Sequence, residues 1–167
     1  MAVGEATVTV SGLSALGVHD REWMLVGSDG QFLTQREFPR MATVRPRVEG
    51  DTLVVGAPGM APLHLPLARV ACATRRVQIW DDSIDADDCG DGAAAWFGAL
   101  LGTGCRLVRF KPAQARPTSE KWTGGAPSAA RFADAYPLLL IGEGALDEIN
   151  ARMAAAGRAA LPMDRFR

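Results

Sequence analysis

Between residues 6 and 80 the apolar residues come only in short runs, and each run ends within a few positions at Gly, Pro or an Asp-Gly pair. A chain punctuated this often cannot build long helices there. Closely spaced short strands are what such a pattern supports, and they lead to a barrel or a sandwich. "ATVTV" alternates Thr7 and Thr9 with Val8 and Val10, and "REWMLVG" sets Trp23 and Leu25 opposite Met24 and Val26. The second of these is apolar on both faces, which predicts a central strand. Ser28-Asp29-Gly30-Gln31 then supplies an Asp-Gly turn, with "FLTQRE" returning as the partner strand. "MATVRPRVE", Gly50-Asp51 and "TLVVGA" predict a further hairpin. "LHLPL" reads as an edge strand, because Pro66 has no N–H for a ladder, and "RRVQIWDD" as a strand with Val77 and Ile79 on one face.

The period changes at "DCGDGAAAWFGALLG". Asp91 is placed to cap a helix, Trp96 and Phe97 meet Leu100 and Leu101 four residues on, and Gly102 ends it. "CRLVRF" returns as a last strand. "KPAQARPTSEKWTGGAPSAAR", with its prolines, Gly pair and absence of apolar period, reads as a mobile linker or long loop. Beyond it, "YPLLLIG" is a strand and "ALDEINARMAAAG" a helix with Leu146, Ile149 and Met153 on one face and Gly157 at its end. The expected class is α+β. A mainly antiparallel, barrel-like region with one or two helices (1–111) is followed by a linker (112–131) and a short strand-helix tail (132–167). A lone strand and helix cannot bury a core unaided.

Charge narrows the function classes. Lys plus Arg number 18 and Asp plus Glu 19, so no basic excess marks a nucleic-acid partner. No apolar run nears the roughly 20 residues of a bilayer span, and the first residues read as neither basic nor apolar leader, so a cytoplasmic protein without a membrane partner is expected. Cys72, Cys89 and Cys105 are widely spaced, and the expectation is reduced, structural thiols. "DDSIDADDCGDG" concentrates aspartates, but a calcium loop starting at Asp85 would place Cys89 and Trp96 where oxygen ligands belong. A solvated acidic turn ahead of a helix N-terminus is the plainer reading. His19 and His64 sit beside no nucleophile motif, and Ser119 and Lys121 lack the Ser-x-x-Lys spacing, so neither a catalytic set nor a metal-ligand set is expected.

The arginines are the better lead. Arg21, Arg36 and Arg40 flank the hairpin around Ser28–Gln31, and pairing its strands would bring them toward one rim. Converging guanidinium groups make an oxyanion site through paired N–H donors. The alternative is that Asp20, Glu22 and Glu37 neutralise them as surface ion pairs.

Three stretches resemble one family. "HDREWMLVGSDGQFLTQREFPRMATVRP" is similar to the Asp-Arg-x-Trp-Met-Leu-Val to Thr-Gln-Arg-Glu-x-Pro-Arg segment at the start of MOSC-domain proteins. "DDCGDGAAAWFGALLG" resembles their Gly-Asp-x-x-Ala-x-Trp helix, and "FADAYPLLLIGEGALDEINARM" with "PMDRFR" the beginning of the MOSC domain itself. The resemblance implies a MOSC N-terminal β-barrel domain. It also implies a molybdenum cofactor, reduction of N-hydroxylated compounds and electron-transfer partners in similar full-length proteins. It places Arg21 at the phosphate end of that cofactor and matches Arg167 to the Phe-Arg-Pro-Asn arginine, while Arg36 and Arg40 occupy family positions of unassigned role.

The departures from the pattern shape the expectation. The Pro-Val-Lys-Ser segment is not found ahead of the first strand, and the molybdenum-ligating cysteine of the family lies in a stretch later than any of these residues. Gly142, Glu143, Gly144 and Ala145 stand where Ser-Glu-Ala-Ser is usual. The expected function is therefore a barrel module, non-catalytic alone, that does not hold the molybdenum centre by itself. It would recognise a small anionic ligand or a complementary MOSC-containing chain through Arg21, Arg36, Arg40 and Arg167. The alternative is one part of a molybdenum-dependent reductase completed by another polypeptide. A purely structural role is the third reading.

Overall fold

Period-two alternation puts successive side chains on opposite faces, and that rule accounts for most of what this chain builds before residue 111. The computed structural model describes residues 5–9, 12–114, 116–126, 128–134, 136 and 142–163. Its strands are β1 (Thr7–Thr9), β2 (Gly12–Ala15), β3 (Val18–His19), β4 (Trp23–Gly27), β5 (Arg45–Glu49), β6 (Thr52–Gly56), β7 (Leu63–Pro66), β8 (Thr74–Ile79) and β9 (Asp82–Asp88). Helix α1 (Asp91–Leu101) precedes β10 (Cys105–Phe110), and α2 (Glu143–Ala155) follows much later. Among the described residues the named strands pair antiparallel, in three sheets ordered β1-β2-β3, β4-β10-β9-β8 and β5-β6-β7, which makes the fold α+β.

β4 is an edge strand, not the central one its two apolar faces suggest. The physical reason is that β4 and β10 separate two cores. Leu25, Cys105 and Leu107 pack on one side with Leu53, Val55 and Leu65 of the β5–β7 sheet and with Ala93, Phe97 and Leu100 of α1. Val26, Val108 and Phe110 pack on the other with Val77, Ile79, Ile84, Ala86 and Phe132. Burial of each large apolar side chain contributes about 1.5–3 kcal/mol, so one strand feeding two cores is strongly held.

The Asp-Gly turn forms, with Gly30 at φ +82°, but its return strand shrinks to a stub. Phe32 bridges Val26 of β4, and Gln31 bridges Gln78 of β8. Gly27 N–H donates to Gln31 O at 2.8 Å, and Gln78 N–H to Gly30 O at 2.9 Å. The stub thus bonds to both outer strands of the four-stranded sheet, to β4 at Leu25–Gly27 and to β8 at Gln78, and curls it.

The other elements follow the sequence more closely. β5 and β6 pair around Gly50-Asp51, and β7 lies at a sheet edge with Pro66 opposite Thr52. α1 begins after Gly90 without a side-chain cap, Asp91 falls in its first turn, and Gly102 ends it in the left-handed region at φ +72°. The acidic stretch is not a turn. Residues 82–88 form β9, with Ile84, Ala86 and Asp88 buried on one face.

The chain divides into two compact units, Met1–Pro137 and Leu138–Arg167. The Pro/Gly stretch after β10 belongs to the first and is held there by Arg116, only 6% exposed. Its guanidinium donates to the Asp82 carboxylate at 2.6 Å, to the carbonyls of Arg131 and Asp134 at 3.0 Å each, and to that of Ala133. A bridge from Pro117 to Ala129 closes the loop above it. In the second unit, α2 buries Leu146 and ends where Gly157 N–H meets Ala154 O and Arg158 N–H meets Met153 O, the paired bonds of a Schellman cap. Asn150 clasps Leu161 through both its amide oxygen and its amide nitrogen. The strand expected in "YPLLLIG" falls mostly outside the described residues.

Candidate functional site

Arg21 takes φ +50°, so the chain reverses between β3 and β4 and its neighbour Glu22 points inward. Glu22 is 3% exposed. One carboxylate oxygen accepts from Arg109 Nε at 2.7 Å and from Arg69 Nη2 at 3.1 Å, and the other from His19 N–H at 2.9 Å. Arg109 also donates to Leu67 O and lies 4.8 Å from the Trp23 ring centroid, while Arg69 reaches Phe110 O and Asp87. Burial alone would push the Glu22 carboxyl up, but the His19 N–H and the Arg109 guanidinium outweigh it and hold it below the usual carboxylate range. Burial, then Arg131, lowers His19, which favours its neutral imidazole.

A second buried carboxylate stands at the end of β9. Asp88 accepts from Arg106 at 2.6 and 3.0 Å, from Gly90 N–H at 2.8 Å, and from Arg75. Burial pushes this carboxyl up, and the bonds from Arg106, Arg75 and Gly90 bring it down to about 2 from an ordinary 3.8. A folded-state value below the unfolded one stabilises the fold fully above pH 4 and less as pH falls toward 2. Acid unfolding should therefore show a loss of about 2 kcal/mol across that window in the wild type, and Asp88→Asn should flatten it in denaturant titrations at stepped pH. An unchanged profile in the variant would refute the assignment.

Between the two carboxylates runs a groove of about 440 Å³ whose lining includes Trp23, Arg69, Cys72, Cys89, Arg106 and Arg109. Sequence reading missed Arg69, Arg106 and Arg109 because their partners are far away in the chain. The signal available was Asp88 itself, which extends the alternating Ile84 and Ala86 and so puts a charge on a core-facing position that demands cationic partners.

The arginines singled out by sequence are distributed differently. Arg21 is exposed and pairs with Asp20. Glu22 is taken by Arg69 and Arg109, and Glu37 accepts from the Thr34 N–H and hydroxyl. Arg36, in the turn after the stub, and Arg40, in the 3-10 segment Pro39–Thr43, are both exposed, and their guanidinium groups meet no acid among the described residues. Arg36 and Arg40 lie beyond the short return stub, whose bonds to β4 reach Leu33 N–H to Leu25 O at 2.8 Å. Arg167 lies outside the described residues.

A family model described as the MOSC N-terminal beta barrel domain matches residues 1–104. The chain belongs to this family. The MOSC N-terminal chain is 30% identical over 158 residues to the mouse mitochondrial amidoxime-reducing component 1, covering 92% of its own length and 46% of that protein's. It is 32% identical over 161 residues to the cattle mitochondrial amidoxime reducing component 2, with 92% and 47% covered. It thus spans about half the length of the curated relatives it matches. A solution structure from Bordetella bronchiseptica shares 30% identity at a TM-score of 0.50, covering 54% of this chain and 72% of that shorter one. These names correct the cytoplasmic expectation, since the relatives are mitochondrial. Its ground was the absence of a membrane span or leader, and no helix among the described residues is long and apolar enough to cross a membrane, yet that property does not distinguish compartments.

The molybdenum cofactor that the MOSC resemblance implies needs cationic donors for its phosphate and a soft thiolate for its metal. Arg36 and Arg40 fit the first need. The described thiols do not fit the second: Cys105 is buried, burial and then Asp87 raise Cys72, and burial and then Asp88 push Cys89 up to about 12. No group of three His, Cys, Asp or Glu side chains among the described residues is placed to hold a metal ion. These thiols would therefore supply no ligand to the molybdenum of that cofactor.

Proposed function

We propose that this MOSC N-terminal domain is an anion-recognition module that binds a phosphate group, such as that of a molybdenum cofactor, through Arg36 and Arg40 with Arg21 nearby in sequence. Reduction of amidoximes or other N-hydroxylated compounds would require the remainder of a MOSC domain to supply the metal-binding thiolate. The observation that carries this reading is the division of labour among the arginines. Arg69, Arg75, Arg106, Arg109 and Arg116 are committed to acids and carbonyls inside the fold, whereas Arg36 and Arg40 present donors to solvent. An exposed guanidinium is weakly hydrated and suited to two-point phosphate contact.

The test is an NMR titration of the whole chain with inorganic phosphate and, separately, with the pterin cofactor, following arginine side-chain N–H signals. Saturable shifts at Arg36 and Arg40 are expected, and Arg36→Ala with Arg40→Ala should weaken binding at least about tenfold, since each charge-assisted bond contributes about 1.5 kcal/mol or more. Signals of Arg21, Arg36 and Arg40 that stay unmoved by both probes would defeat the reading.

A further inference from the structure

Cys72 and Cys89 are distant in sequence but lie just beyond the ends of the two arms of the β8–β9 hairpin. Its register runs Arg75 opposite Ala86 and Thr74 opposite Asp87, and the ladder gains one more bond where Asp88 N–H donates to Ala73 O at 2.9 Å. The ladder ends at that bond; continued by one residue, its register would set Cys72 opposite Cys89 at a non-hydrogen-bonded position, where Cα atoms approach to about 4.5 Å, inside the range a disulfide spans. Opposed residues share a face, and the groove agrees that these do: Cys72 and Cys89 both line it, together with Asp87, two residues before Cys89 on β9. Both thiols are free, Cys72 is exposed and Cys89 partly so, while Cys105 is buried in the first core.

We propose that Cys72 and Cys89 close a reversible cross-strand disulfide at the open end of the β8–β9 hairpin, fixing the segment that carries Arg69 against β9. Residues 68–73 belong to no strand, and Arg69 binds Glu22, Asp87 and Phe110 O from this segment. A covalent tie at Cys72 therefore stiffens one wall of the groove.

The oxidant is a small disulfide such as oxidised glutathione. Cys72, having lost its proton, attacks one glutathione sulfur, forms a mixed disulfide and releases one glutathione thiolate. Cys89, losing its proton in turn, attacks the Cys72 sulfur and releases the second. Two protein thiols are oxidised by two electrons, one oxidised glutathione becomes two glutathione molecules, and the two protons end on them. Burial and the neighbouring aspartates raise both thiols, so the exchange is slow at neutral pH and quickens as pH rises.

The test uses the whole chain, treated with oxidised glutathione at mildly alkaline pH and mapped by mass spectrometry without reduction. The wild type should lose the mass of two hydrogens, yield a linked Cys72 and Cys89 peptide pair, and keep Cys105 as a thiol. Cys105→Ser should link equally well, and Cys89→Ser should stop at a glutathione adduct on Cys72. The oxidised wild type should resist tryptic cleavage after Arg69 at least about tenfold better than the reduced form, because local opening is suppressed. A wild type that accumulates the Cys72 adduct without the link, links through Cys105, or gains no protection at Arg69 would overturn the proposal.

Discussion

Glu22→Ala is expected to destabilise the first unit by about 4 kcal/mol, which is a large fraction of a domain's total stability. The carboxylate is 3% exposed and receives three donors from separate parts of the chain: the His19 backbone, Arg69 before β8, and Arg109 in β10. Removing it leaves the half-buried Arg109 with only the Leu67 carbonyl and the Trp23 ring, and frees the turn at Arg21 that aims β4. Glu22→Gln keeps the shape and one acceptor for the His19 N–H but loses the charge, so its loss should be about half as large. Urea unfolding monitored by tryptophan fluorescence would report both values. An alanine variant within about 1 kcal/mol of wild type would show that water replaces the carboxylate without penalty and that the cluster does not hold β3, β4 and β10 together. Because the Glu22 carboxyl is held below its usual range, the gap between wild type and Glu22→Gln should narrow as pH falls below the ordinary carboxylate value.

What could be read from the sequence was local. The β5–β6 hairpin, the edge position of β7 and both helices rest on patterns a few residues long, and the structure has them. What escaped reading depends on residues that meet only after folding. β4 looked central because both faces are apolar, when the cause is two cores on its two sides. The aspartates of β9 looked like a solvated turn, since nothing nearby in sequence announces that Arg75 and Arg106 would neutralise Asp88. The stretch after β10 looked unanchored because one buried side chain, Arg116, does the work of a strand by gathering three carbonyls. Spacing likewise sets aside any pairing of the cysteines, whereas the β8–β9 hairpin carries Cys72 and Cys89 just beyond the ends of its two arms. Around the arginines read from the sequence, Asp20 pairs with Arg21, while Glu22 and Glu37 bind other groups, because Arg109 and Thr34 reach them only through the fold and the local turn.

Gly30→Ala is expected to cost about 3 kcal/mol, far more than an exposed turn substitution usually does. Two penalties combine there. The residue sits at φ +82°, where a side chain is strained, and a Cβ would lie 2.9 Å from the carbonyl oxygen of Arg76, a backbone atom of β8 that cannot swing aside. Relief would require parting the turn from β8, which breaks the bond from Gln78 N–H to Gly30 O and with it the closure that curls the four-stranded sheet. Gly50→Ala is the matched comparison, because Gly50 also has a left-handed φ, of +54°, yet a Cβ there meets nothing within 4 Å. That variant should lose only the conformational part, about 1 kcal/mol. The difference between the two, measured by urea unfolding, isolates the contact with Arg76 and the closure it guards. Equal losses would mean that the stub and β8 separate freely and that the sheet is an open one. A Gly30 loss well above that of Gly50, with faster hydrogen exchange at Gln78 and Phe32, would mean that a single missing Cβ lets a short stub do the work of a full return strand.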